Sequence, residues 1–214
     1  MQANALAVAR TAAPTFKPDD DGFPLIGAAK TFSRDQPIYA EGDAADGVYK
    51  VVSGAVRAVR LLADGRRQIA DFYLPGDAFG VELGERRRAA AEALGETTLL
   101  VTRRASLAAR PDQGGLWRLA LSELQRSQDH VLTLGRRSAS ERVASFLLEI
   151  AERLDAGRAF DLPMSRQDMA DYLGLTIETV SRTLTQLQAD GLVSLNGTRH
   201  VRLPRPGALA ELCE

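Results

Sequence analysis

The sequence predicts an α+β protein in which a domain of short β-strands precedes a long amphipathic helix and a C-terminal winged helix-turn-helix. Residues 23–104 alternate short apolar segments with turn signals, a pattern typical of a β-sandwich, a barrel or a jelly roll. Residues 112–137 contain no proline and repeat apolar residues with a helical period. Residues 165–203 combine two capped helices with a following Asn-Gly hairpin.

The composition excludes several classes of protein. The chain has 214 residues, a formal net charge of −1 and 45% hydrophobic residues, which is an ordinary balance for a globular protein. Its single cysteine, Cys213, excludes an internal disulfide and any zinc site with two cysteines, and two histidines, His130 and His200, are too few for a His-rich metal centre. We therefore expect no metal, no cofactor and no enzymatic activity.

The hydrophobic residues are also not arranged for a membrane. No apolar run is long enough to cross a bilayer, and residues 1–10 lack the basic start of a secretory signal. We expect a cytoplasmic protein that does not contact a membrane.

The region before the long helix divides into a tail and a β-domain. Residues 1–22 contain three consecutive aspartates and predict a flexible tail. In the β-domain, assigned to residues 23–111, Asp64-Gly65 separates the segments Ala55–Leu62 and Gln68–Leu74 and is a strong hairpin signal. The other predicted strands are Pro37–Ala40, Val48–Val52, Ala89–Leu94 and Thr97–Thr102.

The long helix, assigned to residues 112–138, carries one apolar seam. This face could pack on the β-domain of its own chain, but the length of the helix favours a seam with the same helix of a second copy. A hinge is predicted over residues 135–138, before a second amphipathic helix. The seam consists of Trp117, Leu121, Leu124 and Val131, with Gln128 in the same series, and the second helix places Val143, Phe146, Leu147 and Ile150 on one face.

Capping residues define the helix-turn-helix, within a C-terminal domain assigned to residues 139–214. Ser165 and Asp168 have the spacing of a capping box at the start of a short helix, Arg166–Leu173, which Gly174 ends. Thr176 then caps a second helix that runs to about residue 190. The apolar residues Met169, Ala170 and Leu173 predict the inner face of the first helix, and Val180, Leu184 and Leu187 that of the second.

A β-hairpin is predicted directly after the second helix. Asn196-Gly197 lies between the alternating segments Leu192–Leu195 and His200–Leu203. A helix-turn-helix followed by such a hairpin is a winged helix, which predicts binding to double-stranded DNA.

The outer face of the second helix has the chemistry to read bases. Glu178, Ser181 and Arg182 project together, opposite the apolar face. Arginine can donate two hydrogen bonds to guanine, a carboxylate can accept from the cytosine amino group, and serine can bond a base edge or a phosphate. The alternative interpretation is a surface ion pair between Glu178 and Arg182. The candidate contacts to the DNA backbone are Arg166, Thr176, Thr179, Arg199 and His200.

Two motifs resemble the CRP/FNR superfamily of bacterial transcription regulators. Residues 173–182, Leu-Gly-Leu-Thr-Ile-Glu-Thr-Val-Ser-Arg, are close to the helix-turn-helix pattern of that family, and residues 74–80, Leu-Pro-Gly-Asp-Ala-Phe-Gly, resemble a turn of its sensor domain. The resemblance implies an N-terminal β-roll (a double-stranded β-helix of the cyclic-nucleotide-binding kind), a dimerisation helix and a winged helix. The order Glu178, Ser181, Arg182 resembles the FNR-like branch, which implies a homodimer on a TTGAT-type palindrome.

Departures from the family motifs bear on the signal that is sensed. Residues 1–40 contain no cysteine, which excludes the cysteine-ligated iron–sulfur cluster of FNR itself. Val81 separates Gly80 from Glu82, and Arg88 is followed by Ala89, so the phosphate-binding motif of cyclic-AMP receptors is disrupted. What remains resembles the FixK-type subgroup, which implies a regulator of low-oxygen or nitrogen-oxide metabolism, mainly an activator, that needs no effector.

Further interpretations remain open at this point. The hairpin tip Asp64, Gly65 and Arg66 resembles a loop of the family that contacts RNA polymerase, although an ordinary exposed turn would look the same. The nearest rival function adds haem or a small-molecule effector in the β-roll. An enzyme on a cupin-like barrel would need a metal cluster, and no histidine precedes His130. In the last rival, the helix-turn-helix is a structural part of a protein-interaction module.

Overall fold

A computed structural model describes residues 27–108, 114–136 and 138–213 of the chain. The expected tail at 1–22 and the expected boundary at 111–112 lie outside these residues. Within them, no helix is both long enough and apolar enough to span a lipid bilayer.

Eight β-strands form the N-terminal domain. The predicted hairpin is present, and its turn contains Gly65 with a φ of +81°, a backbone conformation that glycine adopts without steric cost. The strands are β1 (Ala28–Phe32), β2 (Pro37–Tyr39), β3 (Gly47–Ser53), β4 (Val56–Leu61), β5 (Arg67–Tyr73), β6 (Ala78–Phe79), β7 (Ala90–Ala93) and β8 (Thr97–Arg103).

These strands pair in two antiparallel sheets of four, in the orders β1-β8-β3-β6 and β2-β7-β4-β5. Val51, Val56, Phe79 and Leu99 are fully buried in one cluster that both sheets share. The arrangement confirms the β-roll that the resemblance implies. The sequence reading missed β1 and β6 because β1 is an edge strand with mostly exposed side chains and β6 has only two residues, so neither shows an alternating apolar pattern.

The rest of the described chain is mainly helical. A short helix that the sequence did not predict, α1, follows β8 directly, and a third strand joins the predicted hairpin of the wing. The helices are α1 (Arg104–Ala108), α2 (Gly114–Arg136), α3 (Ala139–Arg153), α4 (Arg166–Leu173), α5 (Ile177–Ala189) and α6 (Pro206–Glu211). The strands are β9 (Ala159–Asp161), β10 (Ser194–Asn196) and β11 (His200–Arg202).

The hinge expected over residues 135–138 is wrong for its first half. Gly135 and Arg136 belong to α2, since a glycine near a helix end costs only about 1 kcal/mol relative to alanine. Ser138 caps α3, where its side chain accepts a hydrogen bond from the N–H of Glu141 and the Glu141 carboxylate accepts one from the N–H of Ser138.

The β-domain and the helical domain share one hydrophobic core. Phe72 of β5 lies with its ring centroid 6.0 Å from that of Phe146 in α3 and 5.1 Å from that of Tyr172 in α4. Phe72 and Phe146 are each at most 2% exposed. Burying aromatic side chains of this size contributes about 1.5–3 kcal/mol each, so this contact fixes the two domains against each other.

The inner side of α2 carries a histidine in an apolar environment. The ring centroid of His130 lies 4.0 Å from that of Tyr172, and both of its ring nitrogens are buried without a hydrogen-bond partner among the described residues. Burial lowers the pKa of His130 to about 4. The folded protein therefore holds this imidazole neutral at pH values where a free histidine takes up a proton.

Replacing His130 by phenylalanine is expected to reduce the loss of stability on acidification. Between pH 6.5 and about 4, the unfolded chain binds a proton at His130 that the folded protein excludes, so the free energy of unfolding falls as the pH falls. We expect this to cost the wild type roughly 1–3 kcal/mol that the variant retains. Burial raises the pKa of Asp71 to about 6 and of Glu123 to about 7. These two shifts make the free energy of unfolding rise as the pH falls, but they act equally in the wild type and the variant. Denaturant unfolding at about pH 7 and about pH 5 checks this, and equal pH slopes would contradict it.

Candidate nucleic-acid interface

The first helix of the helix-turn-helix is fixed at both ends as the sequence predicts. The N–H of Asp168 donates to the Ser165 hydroxyl at 3.1 Å, and the N–H of Ser165 donates to the Asp168 carboxylate at 3.0 Å. Gly174 ends α4 in the left-handed conformation, with a φ of 62°. On the inner face, Met169, Ala170 and Leu173 are fully buried, which confirms the predicted packing side.

The second helix follows after a short turn. Thr176 is its N-cap, and its hydroxyl oxygen accepts a hydrogen bond from the N–H of Thr179 at 3.2 Å. Val180, Leu184 and Leu187 are at most 2% exposed, so the predicted inner face of α5 packs on the domain core. This packing leaves the opposite face of α5 at the protein surface.

The predicted reading face occupies that outer side of α5. Glu178 and Arg182 are exposed and Ser181 is half-buried. Glu178 and Arg182 form no salt bridge among the described residues, although the charge of Arg182 helps to lower the pKa of the Glu178 carboxyl, so the guanidinium remains available to a ligand. The backbone N–H of Glu178 itself and the Thr176 hydroxyl hold the pKa of the Glu178 carboxyl below its usual value, which keeps it a charged acceptor.

The wing is a three-stranded sheet in the order β10-β11-β9. Asn196 pairs with His200, and Gly197 in the intervening loop has a φ of +72°. The Nη1 atom of Arg199 donates to the Pro163 carbonyl at 3.0 Å, and the Nδ1 atom of His200 lies 2.8 Å from Asp161. Both predicted backbone contacts of the wing therefore already have partners within the protein, and a phosphate would share or displace them.

The predicted seam of α2 lies uncovered along one side of the molecule. Trp117 is 67% exposed, Leu121 45%, Leu124 53% and Val131 63%. Leu132, which the sequence reading did not include, adds to this face at 53% exposed. The seam therefore does not pack on the β-domain of its own chain, whereas Leu119 and His130 on the other side of α2 do contact the rest of the protein.

The interior of the β-roll contains a buried arginine that the sequence reading missed. Arg87 is 2% exposed and donates hydrogen bonds of 2.6 Å to the backbone carbonyls of both Gly80 and Gly47. Its guanidinium also lies over the Tyr39 ring, 4.2 Å from the centroid. Arg88, the arginine considered for a phosphate pocket, is exposed.

Two further features complete the description of candidate sites. At the hairpin tip, the Nε atom of Arg66 donates to the Asp64 carboxylate at 2.7 Å, and both side chains are at least half exposed.

Within residues 27–108, 114–136 and 138–213, no three side chains of the His, Cys, Asp or Glu type are grouped as metal ligands would be.

Sequence and structure comparisons assign relatives to both domains. The profile of the cyclic nucleotide-binding domain matches residues 29–110, and that of the Crp-like helix-turn-helix domain matches residues 141–212. The chain is 48% identical over 183 residues to the nitrogen fixation regulation protein FixK of Rhizobium meliloti (strain 1021), covering 86% of each chain. It is 49% identical over 197 residues to FixK of Azorhizobium caulinodans, covering 87% of this chain and 79% of the relative. The structure of FixK2 from Bradyrhizobium japonicum has a TM-score of 0.84 and 46% identity, covering 89% of this chain and 98% of that one.

Proposed function

The chain belongs to the CRP/FNR family of DNA-binding transcription regulators and is a FixK-type member, and we propose that it binds a TTGAT-type palindrome as a homodimer without an effector. It controls genes of low-oxygen or nitrogen-oxide metabolism and mainly activates their transcription. The single observation that carries the proposed specificity is the open outer face of α5, on which Glu178, Ser181 and Arg182 project away from the core.

Each side chain of this face has one role in the proposed complex. The N-terminal half of α5 enters the major groove, where Arg182 donates to O6 and N7 of the guanine in the half-site. Glu178 accepts from a cytosine amino group, and Ser181 bonds a base edge or a phosphate. The backbone contacts that fix the register come from Arg166, Thr176, Thr179, Arg199 and His200, together with the N–H groups at the start of α5.

The proposed dimer forms along the uncovered seam of α2. Four large apolar side chains are arranged along one face of a 23-residue helix, which is the arrangement that two α-helices bury against each other in a coiled coil. A two-fold dimer presents its two copies of α5 to successive major grooves, about 34 Å apart on one face of the duplex. Activation then uses the exposed tip at Asp64, Gly65 and Arg66 to contact RNA polymerase.

Independence from an effector is supported by the packing inside the β-roll. The Arg87 guanidinium and the Tyr39 and Tyr49 rings lie together there, with the guanidinium 5.5 Å from the Tyr49 ring centroid. Both terminal nitrogens of Arg87 are bonded to backbone carbonyls, so a nucleotide phosphate would have to displace those hydrogen bonds; its Nε atom is buried without a partner among the described residues.

Purified protein is expected to bind a TTGAT palindrome with nanomolar affinity in air and without additives. Because the β-roll needs no ligand, adding cyclic AMP should change neither the dissociation constant nor the melting temperature. Fluorescence anisotropy at a fixed salt concentration, with a scrambled duplex as the control, makes the measurement. Binding that appears only with haem, a cell extract or a small metabolite would contradict effector independence and support the second candidate, the same DNA function gated by a ligand in the β-roll.

A further inference from the structure

Two arginines of the β4–β5 hairpin form ion pairs with the first helix of the helix-turn-helix. Arg67 of β5 donates from Nη2 to the Asp168 carboxylate at 2.8 Å and from Nε to the Asp171 carboxylate at 2.8 Å. Arg57 of β4 donates from Nη1 to Asp168 at 3.2 Å. These four side chains, Arg57, Arg67, Asp168 and Asp171, are called the clasp below, and they join residues about 100 positions apart in the chain.

The clasp is largely shielded from water. The side chain of Asp168 is 4% exposed, that of Arg57 is 12%, that of Asp171 is 13% and that of Arg67 is 30%. Burial alone would raise the pKa of Asp168, but the Ser165 hydroxyl and N–H and the two guanidinium groups outweigh burial, so the pKa lies below its usual value. Water and salt screen the attraction within ion pairs that are shielded in this way less than they screen surface pairs, although the loss of hydration offsets part of the gain.

The β-domain end of the clasp is itself fixed. Arg57 also donates to the Glu92 carboxylate, at 2.7 Å from Nη2 and 2.9 Å from Nε, and to Asp35 at 3.1 Å. One guanidinium therefore connects β4, β7 and α4, so that a movement of α4 relative to the β-roll would have to break several charge-assisted hydrogen bonds.

The clasp holds α4 without covering the reading face of α5. An open cleft of about 990 Å³ separates the hairpin from the first turn of α5 and is lined by Leu62 and Arg66 on one side and Thr176 and Glu178 on the other. Glu178 and Arg182 are exposed while all the ion pairs of the clasp are formed. The closed clasp is therefore compatible with DNA binding.

The clasp also changes the charge that the winged helix presents. Residues 164–205 contain five arginines and four acidic residues, so their net charge is close to zero. Asp168 and Asp171, two of those four acids, are neutralised by arginines of the β-domain. With those two carboxylates neutralised, Glu178 and Asp190 are the acids of residues 164–205 that remain to oppose its five arginines, which favours approach to a phosphate backbone.

We propose that Arg57 and Arg67 are positioning residues for DNA recognition, which lock the helix-turn-helix onto the β-roll in the orientation that binds DNA. This inference rests on the proposed function, because orientation matters most when two copies of α5 must meet two half-sites together. A protein that holds its binding-competent state permanently does not lose affinity to a conformational equilibrium. In this chain the ion pairs of the clasp hold the helix-turn-helix in its DNA-binding orientation, so no bound effector is needed to hold it there.

Arg67→Gln is the variant that tests the proposal, because among the described residues the side-chain hydrogen bonds of Arg67 go to Asp168 and Asp171, whereas Asp168 also caps α4. Operator affinity should fall roughly 5- to 50-fold, while the affinity for a scrambled duplex and the mass of the dimer stay unchanged and the variant remains folded at the temperature of the assay. Arg67→Lys should recover part of the affinity, and Arg67→Gln with Asp171→Asn should lose no more than Arg67→Gln alone. Arg60→Gln, an exposed arginine of β4, is the matched control and should behave as wild type.

A second readout does not depend on the DNA site. Hydrogen–deuterium exchange of the α4 amides should be faster in Arg67→Gln than in wild type without DNA, because the clasp no longer holds α4. Unchanged exchange, unchanged or tighter operator binding, or an equal fall in affinity for the operator and the scrambled duplex would overturn the proposal. Failure of the wild type to bind the palindrome would contradict the proposed function, and the exchange measurement would still decide the inference.

Discussion

Leu124→Glu is expected to convert the protein into a monomer that no longer binds its operator at nanomolar concentrations. Leu124 lies near the middle of the α2 seam and is 53% exposed in the single chain. In a two-fold dimer, the same position meets its own counterpart or a close neighbour, so the substitution places two carboxylates in one apolar interface. An unpaired charge in such a place costs roughly 3–5 kcal/mol, enough to dissociate a dimer at working concentrations.

Sedimentation and operator titration of the same samples check this prediction. Leu83→Glu is the matched control, because Leu83 is fully exposed on a loop of the β-domain, outside the seam. This control should remain a dimer with wild-type affinity. If Leu124→Glu still sediments as a dimer and binds the palindrome, α2 does not form the interface.

Arg182→Ala is expected to cost about 1–3 kcal/mol of binding free energy and to relax the preference for guanine at one position in each half-site. Arg182 is exposed on the outer face of α5 and does not pair with Glu178, so the substitution leaves the packing of the helix unchanged. The loss should therefore appear in sequence discrimination and leave the melting temperature unchanged.

Competition with duplexes substituted at each base pair makes this measurement. Arg103→Ala, which removes an exposed arginine of β8 in the β-domain, controls for the loss of one positive charge. If Arg182→Ala weakened binding to all duplexes equally, Arg182 would be a phosphate contact and the proposed reading face would be wrong.

The helix-turn-helix was the part of the fold that the sequence predicted most closely. Its signals are local: Ser165 and Asp168 bond each other across one turn, Gly174 adopts the left-handed conformation that the helix end requires, and Thr176 caps the next helix. The outward direction of Glu178 and Arg182 followed from helical periodicity alone. Local rules of this kind do not depend on the rest of the chain.

The features that could not be predicted depend on contacts between distant segments. The sequence gives no sign that Arg87, rather than Arg88, lies inside the β-roll, because the two neighbours are distinguished only by the path of the strands around them. Similarly, Arg67 and Asp171 look like surface charges until the hairpin and α4 are brought together. Whether the α2 seam packs on the β-domain of its own chain also depends on contacts between distant segments, so the sequence left that question open.

Methylation interference on a TTGAT palindrome tests most directly whether two copies of α5 read the two half-sites. Each half-site contains one guanine, and methylation of its N7 removes an acceptor that Arg182 requires. The bound fraction should be depleted of DNA methylated at either guanine, and Arg182→Ala should abolish this depletion at both positions. Bound DNA that carries the methyl group as often as free DNA, or depletion in one half-site only, would contradict it.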